Sequence, residues 1–124
     1  MFDGVDELEW RGGAKVRWAR EGAAFLLRLD EVTTQSRVYK QRLDHFFRHE
    51  CRDWRPRWGD FSVEILLEVR EGLPPVDLDN LAKAILDGVK GALFFDDVQV
   101  ARLLVERRTA AGERITVRVA PRAG

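Results

Sequence analysis

Cysteine is almost absent from this chain of 124 residues, with Cys51 standing alone. No disulfide can form within it, so neither a disulfide-stapled scaffold nor a cysteine-built zinc finger is available. An excess of one charge is also missing. Lys and Arg total 21, Asp and Glu total 21, and the formal net charge is zero. That excludes a uniformly basic nucleic-acid coat and leaves only local patches. No apolar run approaches the ~18 residues a membrane helix needs. The opening residues, Met1 to Glu7, are acidic and lack the apolar stretch of a secretory leader. The expectation is a soluble, cytoplasmic protein in a reducing compartment, with no membrane partner. What the chain does have is 45% hydrophobic and 34% charged residues, a globular composition at the length of one domain spanning 1–124.

The apolar pattern changes period along the chain. Ala14, Val16 and Trp18 alternate with Lys15 and Arg17, and after Glu21-Gly22 so do Phe25, Leu27 and Leu29 with Arg28 and Asp30. Period two around a glycine turn predicts a hairpin. Thr33 and Thr34 are candidate caps for a helix from about Gln35 to Arg52, in which Tyr39, Leu43, Phe46 and Phe47 recur at helical spacing. Phe61, Val63, Ile65, Leu67 and Val69 then share one face of a strand that Gly72-Leu73-Pro74-Pro75 ends. Leu81, Ile85 and Val89 mark a second helix from about Asn80 to Lys90, stopped by Gly91. Val98 to Arg107 reads as a strand whose phase slips near Ala101, through either a bulge or burial on both faces. Ile115, Val117 and Val119 mark the last strand. The fold class is α+β, a mixed sheet with two main helices packed on it.

Acidic residues gather at two junctions. Asp77-Leu78-Asp79-Asn80 opens the second helix, and Asp96-Asp97 follows it. Asp79 is a candidate cap, accepting backbone N–H groups of the first turn. Carboxylates so bonded stay ionised, and converging ionised oxygens suit a hard cation such as magnesium. Lys83, one turn on from Asp79, can meet a phosphate or balance a carboxylate. Each feature also has a plain reading. Asp-x-Asp caps helices, Asp79 and Lys83 form a common surface pair worth about 0.2–0.5 kcal/mol, and Asp96-Asp97 suit a turn.

A longer match separates these readings. Asp77-Leu78-Asp79-Asn80-Leu81-Ala82-Lys83-Ala84, then Asp87-Gly88, then Leu93-Phe94-Phe95-Asp96-Asp97-Val98-Gln99-Val100 resembles the signature of the RusA family of Holliday junction resolvases. The resemblance implies a RusA-like fold and a magnesium-dependent endodeoxyribonuclease. Such an enzyme acts as a homodimer on four-way junctions or related branched DNA in recombination and repair. It implies that Asp77, Asp79 and Asp97 bind Mg2+ and that Lys83 is catalytic, with Asp96 a weaker candidate and Asn80 orienting ligands. The family's usual opening, a strand running into a Pro-Pro-Ser/Thr-Asn-like loop, has no counterpart here. Residues 1–22 read as a divergent N-terminal elaboration, which bears on junction selectivity more than on metal chemistry.

Reach and charge add two expectations. A helix from Asn80 to Lys90 is about 16 Å long, and seven extended residues return roughly 23 Å. Asp97 can thus rejoin Asp79 within one chain, the preferred arrangement, or be supplied by a partner subunit. Between residues 37 and 57, Arg37, Lys40, Arg42, Arg48, Arg52, Arg55 and Arg57 face only Asp44, Glu50 and Asp53, a net +4. Between 77 and 97, five aspartates face Lys83 and Lys90, a net −3. A basic surface beside an acidic pocket is a workable nuclease layout, in which those seven basic residues grip DNA phosphates. Trp54 and Trp58 among these arginines either stack on unpaired bases or belong to the core. His45 and His49 have a zinc-compatible spacing but no completing ligand, and read as surface residues; Cys51 reads as a helix residue in apolar surroundings. The alternatives to a nuclease are a non-catalytic DNA-binding protein that retains the fold, or a metal-dependent hydrolase of other phosphate esters.

Overall fold

A computed structural model describes residues 2–13, 15–52, 54–72 and 76–122. Its strands are β1 (Arg11–Gly12), β2 (Val16–Glu21), β3 (Ala24–Leu29), β4 (Phe61–Val69), β5 (Val100–Thr109) and β6 (Arg114–Pro121). The helices are α1 (Arg37–His49) and α2 (Leu78–Val89). Short 3-10 turns occupy Val5–Glu7 and Asp97–Gln99. One mixed six-stranded sheet runs β1-β2-β3-β6-β4-β5. Only β4 and β5 are parallel, joined through α2, as a parallel pair requires a long crossover. The expected α+β architecture is thus the one observed.

The alternating residues explain the layers. Phe61, Val63, Ile65 and Leu67 of β4 turn to one face with Phe25, Leu27 and Leu29 of β3 and Ile115, Val117 and Val119 of β6. Both helices close this face: Tyr39, Leu43 and Phe46 come from α1, Leu81, Ile85 and Val89 from α2, and all six are fully buried. The opposite face is roofed at one end by the chain's opening residues. Val5 joins Ala24 and Leu26 there, with Phe2, Leu8 and Trp10 packed alongside. Asp6 anchors this cover by pairing with Arg28, which is buried beneath the Trp10 ring. The hydrogen bond and charge of Arg28 hold the Asp6 carboxyl below its ordinary pKa. This contribution is therefore present at neutral pH and lost as pH falls through the lowered value.

Two local expectations change, and one left open is decided. Neither Thr33 nor Thr34 caps α1. Ser36 takes that position without a side-chain bond, while the Thr33 backbone accepts from and donates to the Tyr39 hydroxyl at 2.9 and 2.7 Å. The first helix ends at His49, short of Arg52. The phase slip at Ala101 is a bulge: Phe61 pairs with Val100 and Ser62 with Arg102, so Ala101 is the extra residue. Burial on both faces is excluded, because β5 is exposed along most of its length. Expectations that fell on Ala14, Asp53 and Leu73-Pro74-Pro75 lie outside the described residues.

Gly88 sets how closely the two helices approach. A Cβ there would come within 2.6 Å of Leu43 Cδ1 and 2.8 Å of Leu43 Cβ. Gly88→Val should lower unfolding stability by about 2–3 kcal/mol through overpacking. Adding Leu43→Ala should make the double variant's loss smaller than the sum of the two single losses, measured by denaturant unfolding. Strict additivity would mean that the contact is not what fixes the helix pair.

Candidate active site

At the start of α2 the chain leaves an extended stretch, and Asp77 is the N-cap. Its Oδ1 accepts the backbone N–H groups of Asp79 at 2.9 Å and Asn80 at 3.4 Å, and its Oδ2 lies 3.4 Å from Asn80 Nδ2. Asp77 therefore performs the capping expected of Asp79. The Asp79 carboxylate sits in the first turn, where the helix dipole favours an anion. Asp77, Asp79 and Asn80 are all exposed. Lys83 follows one helical turn below Asp79, also exposed, and no ion pair neutralises it among the described residues. The common Asp79–Lys83 surface pair is thus not formed, and the ammonium is free to meet an incoming anion.

The second acidic junction lies at the other end of the same helix. Asp96 caps the 3-10 turn, its Oδ1 accepting from Val98 N at 3.0 Å, and Gln99 returns a side-chain oxygen to the Asp96 backbone N–H. Asp97 is half exposed and faces Lys90, the residue that terminates α2, across 3.7 Å. Twelve helical residues at 1.5 Å each separate the two junctions by about 18 Å. The preferred single-chain gathering of Asp77, Asp79 and Asp97 is therefore not what the chain adopts. The reason is the hydrogen bonding at each end: Asp77 is bound to its helix start, while Asp97 belongs to a turn tied to the helix end. Among the described residues no three acidic, histidine or cysteine side chains converge to hold a metal.

The donor chemistry still fits magnesium in part. Two adjacent carboxylates at a helix N-terminus are hard oxygen ligands, and an ion that keeps several waters needs only one or two more. One chain thus presents Asp77 and Asp79 as neighbouring oxygen donors, with Asp97 at the other end of the helix.

The basic residues divide by partner. On α1, Arg37, Lys40 and Arg48 share one exposed face, whereas Arg42 turns away and binds Glu31 through Nε at 3.0 Å. Arg52, Arg55 and Arg57 are exposed in the following loop, and none has a carboxylate partner among the described residues. Elsewhere Arg17, Arg28, Arg70, Arg102 and Arg114 are held by acids. Of the seven basic residues between 37 and 57, six thus keep no carboxylate partner among the described residues, while Arg42 has one; Arg20, Lys83, Arg107 and Arg108 elsewhere are likewise without one. Trp54 packs edge-on against Phe25 at 4.7 Å and belongs to the core margin, whereas Trp58 is exposed. His45 and His49 lie side by side at the surface with rings tilted by 39°, and Cys51 is half-buried against the core.

Two residues carry more of this site than their sequence signal suggested. Lys90 positions Asp97, and its place just before Gly91 reads only as a helix stop. Gln99 is buried and uses both ends of its amide, as four hydrogen bonds show. Only its place in the acidic motif singled it out.

The family model described as Endodeoxyribonuclease RusA matches residues 17–120. No curated protein matches the chain.

Asp77 and Asp79 should separate in their effect on folding. Asp77→Ala removes the cap and should cost about 1 kcal/mol. Asp79→Asn should stay within about 0.5 kcal/mol of the parent, losing only part of a dipole interaction. Equal losses in thermal or denaturant unfolding would contradict the capping assignment.

Proposed function

The chain belongs to the RusA endodeoxyribonuclease family, and from that premise we propose that it is a magnesium-dependent, homodimeric enzyme that cuts four-way junctions and related branched DNA in recombination and repair, in the cytoplasm. The single observation that carries the reading is the pair Asp77 and Asp79, exposed at a helix start with the unpaired Lys83 one turn below. An open acidic site suits a large substrate whose phosphates approach from outside. A hydrolase of small phosphate esters would instead enclose such groups in a pocket.

Asp77 and Asp79 of one chain and Asp97 of its partner would hold Mg2+. Bound there, the ion would supply Lewis-acid polarisation of the scissile phosphate and lower the pKa of an attacking water. Lys83 would place its ammonium against the phosphoryl oxygens or the leaving oxygen, stabilising charge as it develops. Asp77 would keep one oxygen on the helix backbone, which fixes the carboxylate's direction. Lys90 would hold Asp97 in place until a partner's site takes it. Arg37, Lys40 and Arg48 on α1, with Arg52, Arg55 and Arg57 beyond it, would grip the DNA backbone.

The second copy is supported by the sheet edge. β5 is a ten-residue edge strand with Leu103 and Leu104 exposed, and such an edge is a template for pairing unless covered. Antiparallel pairing of β5 with itself, centred on Leu104, would set Leu104 opposite its own copy. It would also set Leu103 opposite Val105 and Arg102 opposite Glu106, so apolar meets apolar and cation meets anion. A partner strand running the opposite way carries its Asp97 end toward the end of α2 where Asp77 and Asp79 stand. Two such sites related by a two-fold axis match the symmetric cuts that a four-way junction needs.

Asp79→Asn should abolish magnesium-dependent cleavage of a synthetic four-way junction while preserving binding, since it removes a charge that repels phosphate. Normal cleavage by this variant would refute the assignment. Junction affinity should also fall steeply and linearly on a log–log plot against salt, and Arg55→Ala should lower that slope by about one. A flat salt response would count against the basic surface as the DNA grip.

A further inference from the structure

We propose that Trp58, backed by Phe95, is a stacking platform for an unpaired DNA base, and that it makes the protein prefer branched over continuous duplex. This rests on the endonuclease reading and deepens it by naming what the site recognises beyond phosphate.

Trp58 is 73% exposed, although tryptophan is a large apolar side chain normally kept from water. One ring face lies on Phe95, with centroids 4.2 Å apart and planes 20° from parallel. The exposure is that of a ring with its other face open. Phe95 is itself 41% exposed, and the two form a continuous apolar ledge of the kind that marks a binding surface. Trp54, four residues earlier in the same loop, shows the alternative fate, packed on Phe25 at the core margin.

The ledge is held rigidly. Gln99 Nε2 donates to the carbonyls of Arg57 and Gly59, on either side of Trp58, each at 2.9 Å. Gln99 Oε1 accepts from the backbone N–H groups of Phe95 at 2.8 Å and Asp96 at 3.0 Å. One buried amide therefore clamps the loop that carries Trp58 to the loop that carries Phe95. A platform fixed before binding loses little conformational freedom when a flat ring stacks on it.

Charge names the occupant. Arg52, Arg55 and Arg57 precede Trp58, are exposed, and lack ion pairs among the described residues. Arg57 lies over the Trp54 ring at 5.9 Å and Arg55 donates to the Arg52 carbonyl at 2.8 Å, so the cations stand in the loop that leads to the exposed indole. Unneutralised guanidinium groups in the same loop as an exposed indole match a nucleotide, whose base presents a π face and whose backbone presents phosphates. An apolar protein partner would leave those three cations unmatched. The position is also apt, because Phe95 lies two residues before Asp97. A base displaced at a branch point would stack beside the carboxylate assigned to the metal. Every base in continuous duplex is already stacked on its neighbours, so plain duplex gains nothing from the ledge.

The test compares the parent protein with Trp58→Ala and Trp58→Phe in magnesium-free buffer. The probes are a four-way junction, a duplex with one unpaired 2-aminopurine, and a plain duplex. Trp58→Ala should bind the junction and the 2-aminopurine duplex about tenfold more weakly, the size expected for one lost stack. Plain-duplex affinity, thermal midpoint and mass in solution should not change. Trp58→Phe should recover most of the loss, and the parent, unlike Trp58→Ala, should quench the 2-aminopurine. The inference is overturned if Trp58→Ala binds branched DNA like the parent, if it weakens plain and branched DNA equally, or if it changes the oligomeric state. Failure of the parent itself to bind branched DNA would overturn the endonuclease reading instead, and this inference with it.

Discussion

The length and fixed ends of α2 govern everything else in this molecule. A twelve-residue helix is a rigid rod of about 18 Å. Asp77 is hydrogen-bonded to one end of it, and Lys90 holds Asp97 at the other. The rod cannot shorten, and Gly88 lets it lie so close to Leu43 of α1 that an added Cβ would clash there. The carboxylates of a single chain are thereby kept apart by packing that also stabilises the fold. A site that needs all three has to be completed from outside, and on the proposed reading the exposed β5 edge is where a second copy would find both apolar and charged complements.

Zero net charge proves compatible with a DNA-cutting role because the charges are sorted. Most arginines on the sheet and at its ends are spent on carboxylates: Arg28 on Asp6, Arg114 on Asp30, Arg118 on Glu21 and Glu64. An exposed pair such as Arg114 with Asp30 adds little stability by itself, but all of these pairs remove their cations from competition for phosphate. Among the described residues, Arg37, Lys40, Arg48, Arg52, Arg55 and Arg57 on α1 and the loop beyond it keep no carboxylate partner, as do Lys83 and sheet residues such as Arg107 and Arg108. The electrostatic footprint is therefore a surface that pairing has left over, more than a surplus in composition.

Much of this was legible in the residues. Period two in Phe61 to Val69 and spacing of four in Leu81, Ile85 and Val89 report burial on one face, and burial is what the structure uses them for. The signals that misled were those where several residues compete for one role. Thr33, Thr34 and Ser36 all suit a helix start, and the Tyr39 hydroxyl decided among them by taking the Thr33 backbone. Asp77 and Asp79 both suit a cap, and the turn from extended chain chose Asp77. The reach estimate for Asp97 allowed a return to Asp79 because it counted chain length alone. It had no means of weighing the Lys90 contact, or the Gln99 amide that ties the turn to a loop forty residues away. Arg42 illustrates the same limit, since its pairing with Glu31 depends on how α1 meets the preceding loop.

The central claim is that Asp97 serves the site of the other subunit, and mixing two inactive chains tests it most directly. Asp79→Asn and Asp97→Asn should each be inactive alone on a four-way junction with magnesium. Co-refolded or co-expressed, they should form heterodimers with one intact pair, the native Asp77 and Asp79 of one chain facing the native Asp97 of the other, and nicking of a single strand should return. Heterodimers that form, as shown by differently tagged subunits, yet remain as inactive as either parent would contradict the account and return Asp97 to its own chain.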